Sequence, residues 1–127
     1  MPIKAKISKT LSILALCTAL ANAPSSASAQ LSVEQDRIER TWDKAVDAYE
    51  KNQFALAMDV FEEYIELSDN PNSDRHMEAV YRSSLCALNL YHKDAEYRID
   101  AFIERYPESV YVQDALWAIA DHHYKRR

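Results

Sequence analysis

The 127-residue chain contains no glycine. Without it there is no phosphate-cradling loop, no dinucleotide-binding fingerprint and no nucleophile elbow, each of which needs glycine where backbone must approach closely or turn sharply. Proline is nearly as scarce: beyond Pro24 only Pro71 and Pro107 remain, so long segments run without a helix breaker. The two cysteines, Cys17 and Cys86, fall on either side of an expected processing site. Cys86 then has no partner for an internal disulfide. It sits where helix packing wants a small apolar residue, which favours a core role over a redox one.

Basic clusters are missing too. The net charge is −5, and the densest basic stretch is the terminal Lys125-Arg126-Arg127, which suits cations closing a last helical turn. An acidic domain repels phosphate backbones, so nucleic acid is not expected as a partner. The longest apolar run, Leu11 to Ala21, is well short of the ~20 residues that span a bilayer, so no transmembrane segment is expected.

That run follows Lys4, Lys6 and Lys9 and precedes Ala27-Ser28-Ala29. Charged, apolar and small-x-small regions in this order form a secretory signal peptide, with cleavage expected between Ala29 and Gln30. An earlier candidate, Ala21-Asn22-Ala23, would leave Pro24 at the cut and is disfavoured. Leu14-Ala15-Leu16-Cys17 half-resembles a lipoprotein box, but Leu16 is not the small residue such boxes place before the acylated cysteine. The expected layout is a leader over 1–29 and one helical domain over 30–127. Losing the leader removes three basic and no acidic side chains, taking the net charge from −5 to −8. The mature chain is expected to be exported and periplasmic, with outer-membrane association left open.

Within 30–127, apolar residues recur every three or four positions, as in Ile38, Trp42, Ala45, Tyr49 and again Leu56, Val60, Phe61, Ile65. This is helical periodicity, and the fold class is all-α. Five helices are predicted, over 32–51, 54–67, 75–91, 94–106 and 109–125. Ser32 with Gln35 reads as a capping box opening the first, and Ser73 or Asp74, Asp94 and Ser109 as caps of the third, fourth and fifth. Ser68 to Asp74 is a turn-rich loop, and Pro107 separates the last two helices.

The chain also repeats itself. Ala45-x-x-Ala48-Tyr49 then Phe54-x-x-Ala57-x-x-x-Phe61-x-x-Tyr64-Ile65 aligns with Ser83-x-x-Cys86-Ala87 then His92-x-x-Ala95-x-x-x-Ile99-x-x-Phe102-Ile103. A third start, Ala120-x-x-His123-Tyr124, ends at Arg127. A period of this kind belongs to stacked repeat proteins, which bind rather than catalyse. The small residues have a direct cause: helices packed ~8 to 10 Å apart leave no room for bulk at the crossing.

The pattern resembles the tetratricopeptide repeat, a pair of antiparallel helices with small residues where they cross. Ala45, Asn52, Phe54, Ala57 and Phe61 match its first unit, with Asn52 at the turn position where glycine is usual. Ser83, Ala87, Ala95 and Ile99 match the second, with Leu90 and His92 in place of the usual turn residue and aromatic. Phe102-Ile-Glu-Arg-Tyr-Pro-Glu-Ser109, followed by Tyr111-x-x-Asp114-Ala115-Leu116, is similar to the joint between repeats in periplasmic members of the family, among them the Tol-Pal coordinator and the helical lipoprotein of the outer-membrane assembly machine. The resemblance covers residues 35 to 127. It implies an α-solenoid of about two and a half helix pairs, with Ala45, Ala57, Phe61, Ser83, Ala95, Ile99 and Ala120 as packing positions.

It also implies a concave groove lined by the first helix of each pair. The positions that carry over as partner-binding are Glu39, Trp42 and Tyr49 in the first unit, and Trp117, Asp121 and Tyr124 in the third. Aromatics in a groove are common anchors, but a Trp at helical spacing more often fills a core, and both readings stay open. No catalytic residue, cofactor or metal is expected. His122 and His123 are adjacent, about 100° apart on a helix, which suits a solvated face better than a shared ion. The acidic pairs on helix faces read as ordinary solvation.

The third unit stops after its first helix, which is too apolar for a finished surface. The chain is therefore expected to begin a longer array, to dimerise through this helix, or to dock on another exported protein. The function expected is a non-catalytic protein-binding scaffold of the bacterial envelope, with other envelope proteins or peptides as partners. A self-associating structural subunit and a part in polysaccharide export are the alternatives.

Overall fold

The structure is a computed structural model and describes residues 24–127. The expected leader up to residue 23, including Cys17, lies outside the described residues. The described chain is all-helical: α1 is Pro24–Glu50, α2 Phe54–Leu67, α3 Asp74–Asn89, α4 Ala95–Arg105 and α5 Val112–Lys125. The chain divides at Asp36 and Arg37 into two units. In the first, the side chains of residues 26–36 are exposed, Leu31 and Val33 among them.

The helix start expected at Ser32 is not there. α1 already runs from Pro24, and nothing from Ser25 to Ala29 breaks the turn. Ser32 lies inside the helix, and its hydroxyl donates back to the Ala29 carbonyl at 2.8 Å, a bond a mid-helix serine makes instead of capping.

In the second unit α1 and α2 lie antiparallel, because their contacts run in opposite order along the chain. Arg37 meets Glu63 at 3.8 Å. Trp42 packs on Tyr64 and Phe61, at ring centroid distances of 5.1 and 6.0 Å, and Tyr49 on Phe54 and Phe61 at 6.0 and 6.2 Å. Between these aromatics Ala45 and Ala57 are both fully buried. The turn is closed by Asn52 at φ 57°, with Gln53 N–H bonded to the Ala48 carbonyl and Asn52 N–H to that of Tyr49. This pair of bonds satisfies the last carbonyls of α1, and asparagine tolerates the left-handed conformation better than most residues.

The turn after α3 uses the same two bonds: His92 N–H to the Ala87 carbonyl and Tyr91 N–H to that of Leu88. Its left-handed residue is Tyr91, at φ 55°, one position after the Leu90 expected by alignment. Leu90 stays helical at φ −85°, and the exposed Tyr91 takes the turn in the absence of glycine. α3 and α4 then pack through Tyr81 and Phe102, 5.6 Å apart.

Ser73 caps α3 as expected, its hydroxyl accepting from His76 N–H at 3.2 Å. Asp94 precedes α4 but makes no side-chain cap. Its carboxylate accepts instead from the Arg98 guanidinium, which holds its pKa below the usual carboxylate value. Ser109 lies one turn ahead of α5, accepting from Tyr111 N–H at 3.3 Å. The 68–74 loop is fastened from a distance, since the Tyr106 hydroxyl donates to the Pro71 carbonyl at 2.9 Å.

The core runs through Phe61, Ile99, Phe102 and Cys86, the largest fully buried side chains. Burial pushes the Cys86 thiol up to about 11, so it stays protonated and unreactive at neutral pH. Ala45, Ala57, Phe61, Ser83, Ala95 and Ile99 are all buried, as the sequence pattern requires. Ala120 is not: it is exposed, since no described helix crosses α5 there. Among the described residues no helix is long and apolar enough to cross a membrane.

Candidate functional site

The six residues expected to line one groove fall into two groups. On α1, Glu39, Trp42 and Tyr49 are half-buried. Their rings face α2, and two arginines of α3 cover them from the other side: Arg75 lies 5.5 Å from the Trp42 ring and Arg82 5.0 Å from the Tyr49 ring. Glu39 accepts two hydrogen bonds from Arg75, at 2.8 and 2.7 Å, which holds the guanidinium firmly charged. Arg82 pairs with Glu78 at 2.7 Å. Trp42 and Tyr49 therefore fill the seam between helices, with part of their surface left open. Such cation–aromatic contacts are worth about 0.5 to 2 kcal/mol each, more as they are desolvated.

On α5, Trp117 and Tyr124 are 69% and 79% exposed. Leu116 beside them is 52% exposed, and Asp121 is held by Lys125 at 2.6 Å. The opposite side of α5 is covered: Ala115 and His122 are buried, and Ala118 and Ile119 pack on the core. About seven residues make two helical turns, so Trp117, Ala120 and Tyr124 stack on a single open face. Isolated exposed apolar side chains are ordinary; here Leu116, Trp117 and Tyr124 are exposed together on one helix.

Two further features escaped the sequence. The first is a groove of about 300 Å³ between α2, α3 and α4, floored by Ile65, Val80, Ala101 and Phe102 and rimmed by Tyr97, Arg98 and Arg105. Arg98 is committed to both Glu62 and Asp94, so its charge is spent within the fold. The second is the burial of two histidines, His76 and His122, the latter expected on a solvated face. His76 is 4% exposed and its Nδ1 has no hydrogen-bond partner. Burial first, then the nearby Arg105 charge, lower its pKa, so it stays neutral.

His122 packs on Tyr91 with the rings tilted, at a centroid distance of 5.4 Å, and its Nε2 lies 3.9 Å from Glu96. His123 approaches the same carboxylate at 3.8 Å and Arg126 at 3.3 Å. Position alone hinted at these burials, since His76 and His122 fall on the stripes of Ala79 and Ala115, three and seven residues away. Among the described residues no group of three or more ligating side chains could hold a metal ion.

No protein-family model matches the chain, and searches of curated proteins and of solved structures found no match to it.

Proposed function

We propose that this chain is an exported, non-catalytic helical repeat module of the tetratricopeptide type that binds other proteins or peptides at the bacterial cell envelope. The observation that carries the reading is a repeated register. Arg75 of α3 reaches Glu39 of α1, and Arg98 of α4 reaches Glu62 of α2, both across 36 residues. Helices one pair apart are thus linked twice at one spacing. The two left-handed turns with identical bonding add to it, as do the alanines at the crossings. Such stacking leaves the first helices of successive pairs along one side, where Glu39, Trp42, Tyr49, Arg75 and Arg82 offer half-open aromatic and charged surface for a polypeptide.

Export rests on the leader pattern, three lysines followed by the Leu11–Ala21 run. Cleavage after Ala29 would trim the exposed start of α1 and leave the second unit whole. A photo-crosslinking residue in place of Val46, between Trp42 and Tyr49, tests the binding reading in cells. The expected result is a discrete adduct with an envelope protein, absent when the crosslinker replaces Asp59 on the exposed face of α2. Equal labelling from both positions, or recovery of the protein only from the cytoplasm, would overturn it.

A further inference from the structure

The open face of α5 carries the spacing Trp117-x-x-Ala120-x-x-x-Tyr124. The spacing on the covered face of α1 is Trp42-x-x-Ala45-x-x-x-Tyr49, and α2 answers it with Phe54-x-x-Ala57-x-x-x-Phe61. In that hairpin both alanines are fully buried at the crossing, and the aromatics of the two stripes interlock on either side at centroid distances of 6.0 to 6.2 Å. Both helices of the pair obey one rule, aromatic, small, aromatic at i, i+3 and i+7. A helix that obeys it can therefore play either part.

We infer that a second copy of this chain covers α5. The two α5 helices pack antiparallel about a two-fold axis, with Ala120 against Ala120 and each Trp117 beside the Tyr124 of the other copy. A two-fold contact brings one patch against itself, so the face must be self-complementary, and this one is. Alanine at the centre admits the close approach of ~8 to 10 Å between helix axes. The charges agree as well: α5 has Asp114 in its first turn and His122, His123 and Lys125 in its last, Lys125 already paired with Asp121, and antiparallel packing sets the acidic end of one copy beside the basic end of the other. A parallel arrangement would put like against like.

The inference uses the crossing geometry of the α1–α2 pair and depends neither on export nor on the foreign partner proposed above. Its effect on that role is to join two binding surfaces in one particle, so that a partner with two copies of a binding segment is held by both.

The test is sedimentation over a concentration series with the purified protein, in parallel with thermal melts followed by circular dichroism. The expected result is a reversible monomer–dimer equilibrium. Ala120→Arg should abolish it while leaving helicity and melting in dilute solution unchanged, because Ala120 is exposed in the single chain. Tyr124→Ser should weaken it at least tenfold. Disulfide trapping then reads the register: in a Cys17→Ser background, with Cys86 buried, Ala120→Cys should give a covalent dimer under mild oxidation. Gln113→Cys should not, because in the antiparallel register it faces the far end of the other helix. A protein that stays monomeric into the millimolar range, a dimer that survives Ala120→Arg, or trapping through Gln113→Cys would each overturn the inference. The Val46 crosslinking result would be unaffected by any of them.

Discussion

α1 and α5 carry the same aromatic–alanine–aromatic stripe and meet opposite fates. On α1 the stripe is shut against α2, with Ala45 at zero exposure and Trp42 wedged between Phe61, Tyr64 and the Arg75 guanidinium. On α5 it stands open, with Trp117 at 69% and Tyr124 at 79%. The side chains are nearly identical, so burial at these positions is decided by whether a second helix arrives to cross the alanine. A pattern of this kind specifies a mate, and whether the mate is part of the same chain is a separate matter.

The comparison is broken most severely by truncating its closed half. Phe61→Ala should destabilise the fold by about 3 to 5 kcal/mol through lost contacts and the cavity left behind, whereas Trp117→Ala should leave the urea midpoint of dilute protein where it was. Overpacking comes next. Ala57→Leu should cost about 1 to 3 kcal/mol because the crossing has no room, and Ala120→Leu should be nearly neutral in the same melts. Equal costs at Ala57 and Ala120 would mean that the two stripes do not differ as described.

Smaller effects sharpen the account of the closed half. Tyr106→Phe removes only the hydroxyl that reaches Pro71 and should cost about 0.5 to 1.5 kcal/mol. His76 supplies a pH dependence. Its folded pKa lies below the ordinary 6.5, so the unfolded chain binds the proton more readily. Stability is complete above that ordinary value and declines as pH falls from it toward the folded pKa. Melts at about pH 7.5 and about pH 5.5 should therefore differ, with part of the difference removed by His76→Phe. Least of all, Glu62→Gln breaks a partly exposed ion pair with Arg98 and should cost under about 1 kcal/mol.

Much of the helical layout was legible in the sequence, because small residues at helix crossings and bulky ones beside them leave a periodic trace. Ala45, Ala57, Phe61, Ala95 and Ile99 are buried as that trace demands. What misled was local chemistry that several conformations share. Ser32 and Gln35 satisfy the letter of a capping box, yet a box needs a non-helical residue at its head, and nothing in Ser25-Ser26-Ala27-Ser28-Ala29 prevents a helix from running through. The left-handed turn fell at Tyr91 because, with no glycine to fix it, the hydrogen bonds from His92 and Tyr91 decide the place. Histidine burial left only a positional hint, because an imidazole fits either a core or a surface, and His76 is buried with its Nδ1 unpaired. Ala120 was grouped with the packed alanines for a sound reason, its spacing. Its exposure depends on a neighbour that the spacing alone does not supply.

The chain's two tryptophans, Trp42 and Trp117, make the central contrast directly observable. In dilute protein, Trp117→Phe leaves only Trp42, which should emit at shorter wavelength and resist acrylamide quenching, while Trp42→Phe leaves only Trp117, which should emit like a solvated indole and quench readily. Raising the concentration should protect Trp117 and leave Trp42 unchanged. Two tryptophans that quench alike at every concentration would contradict the account.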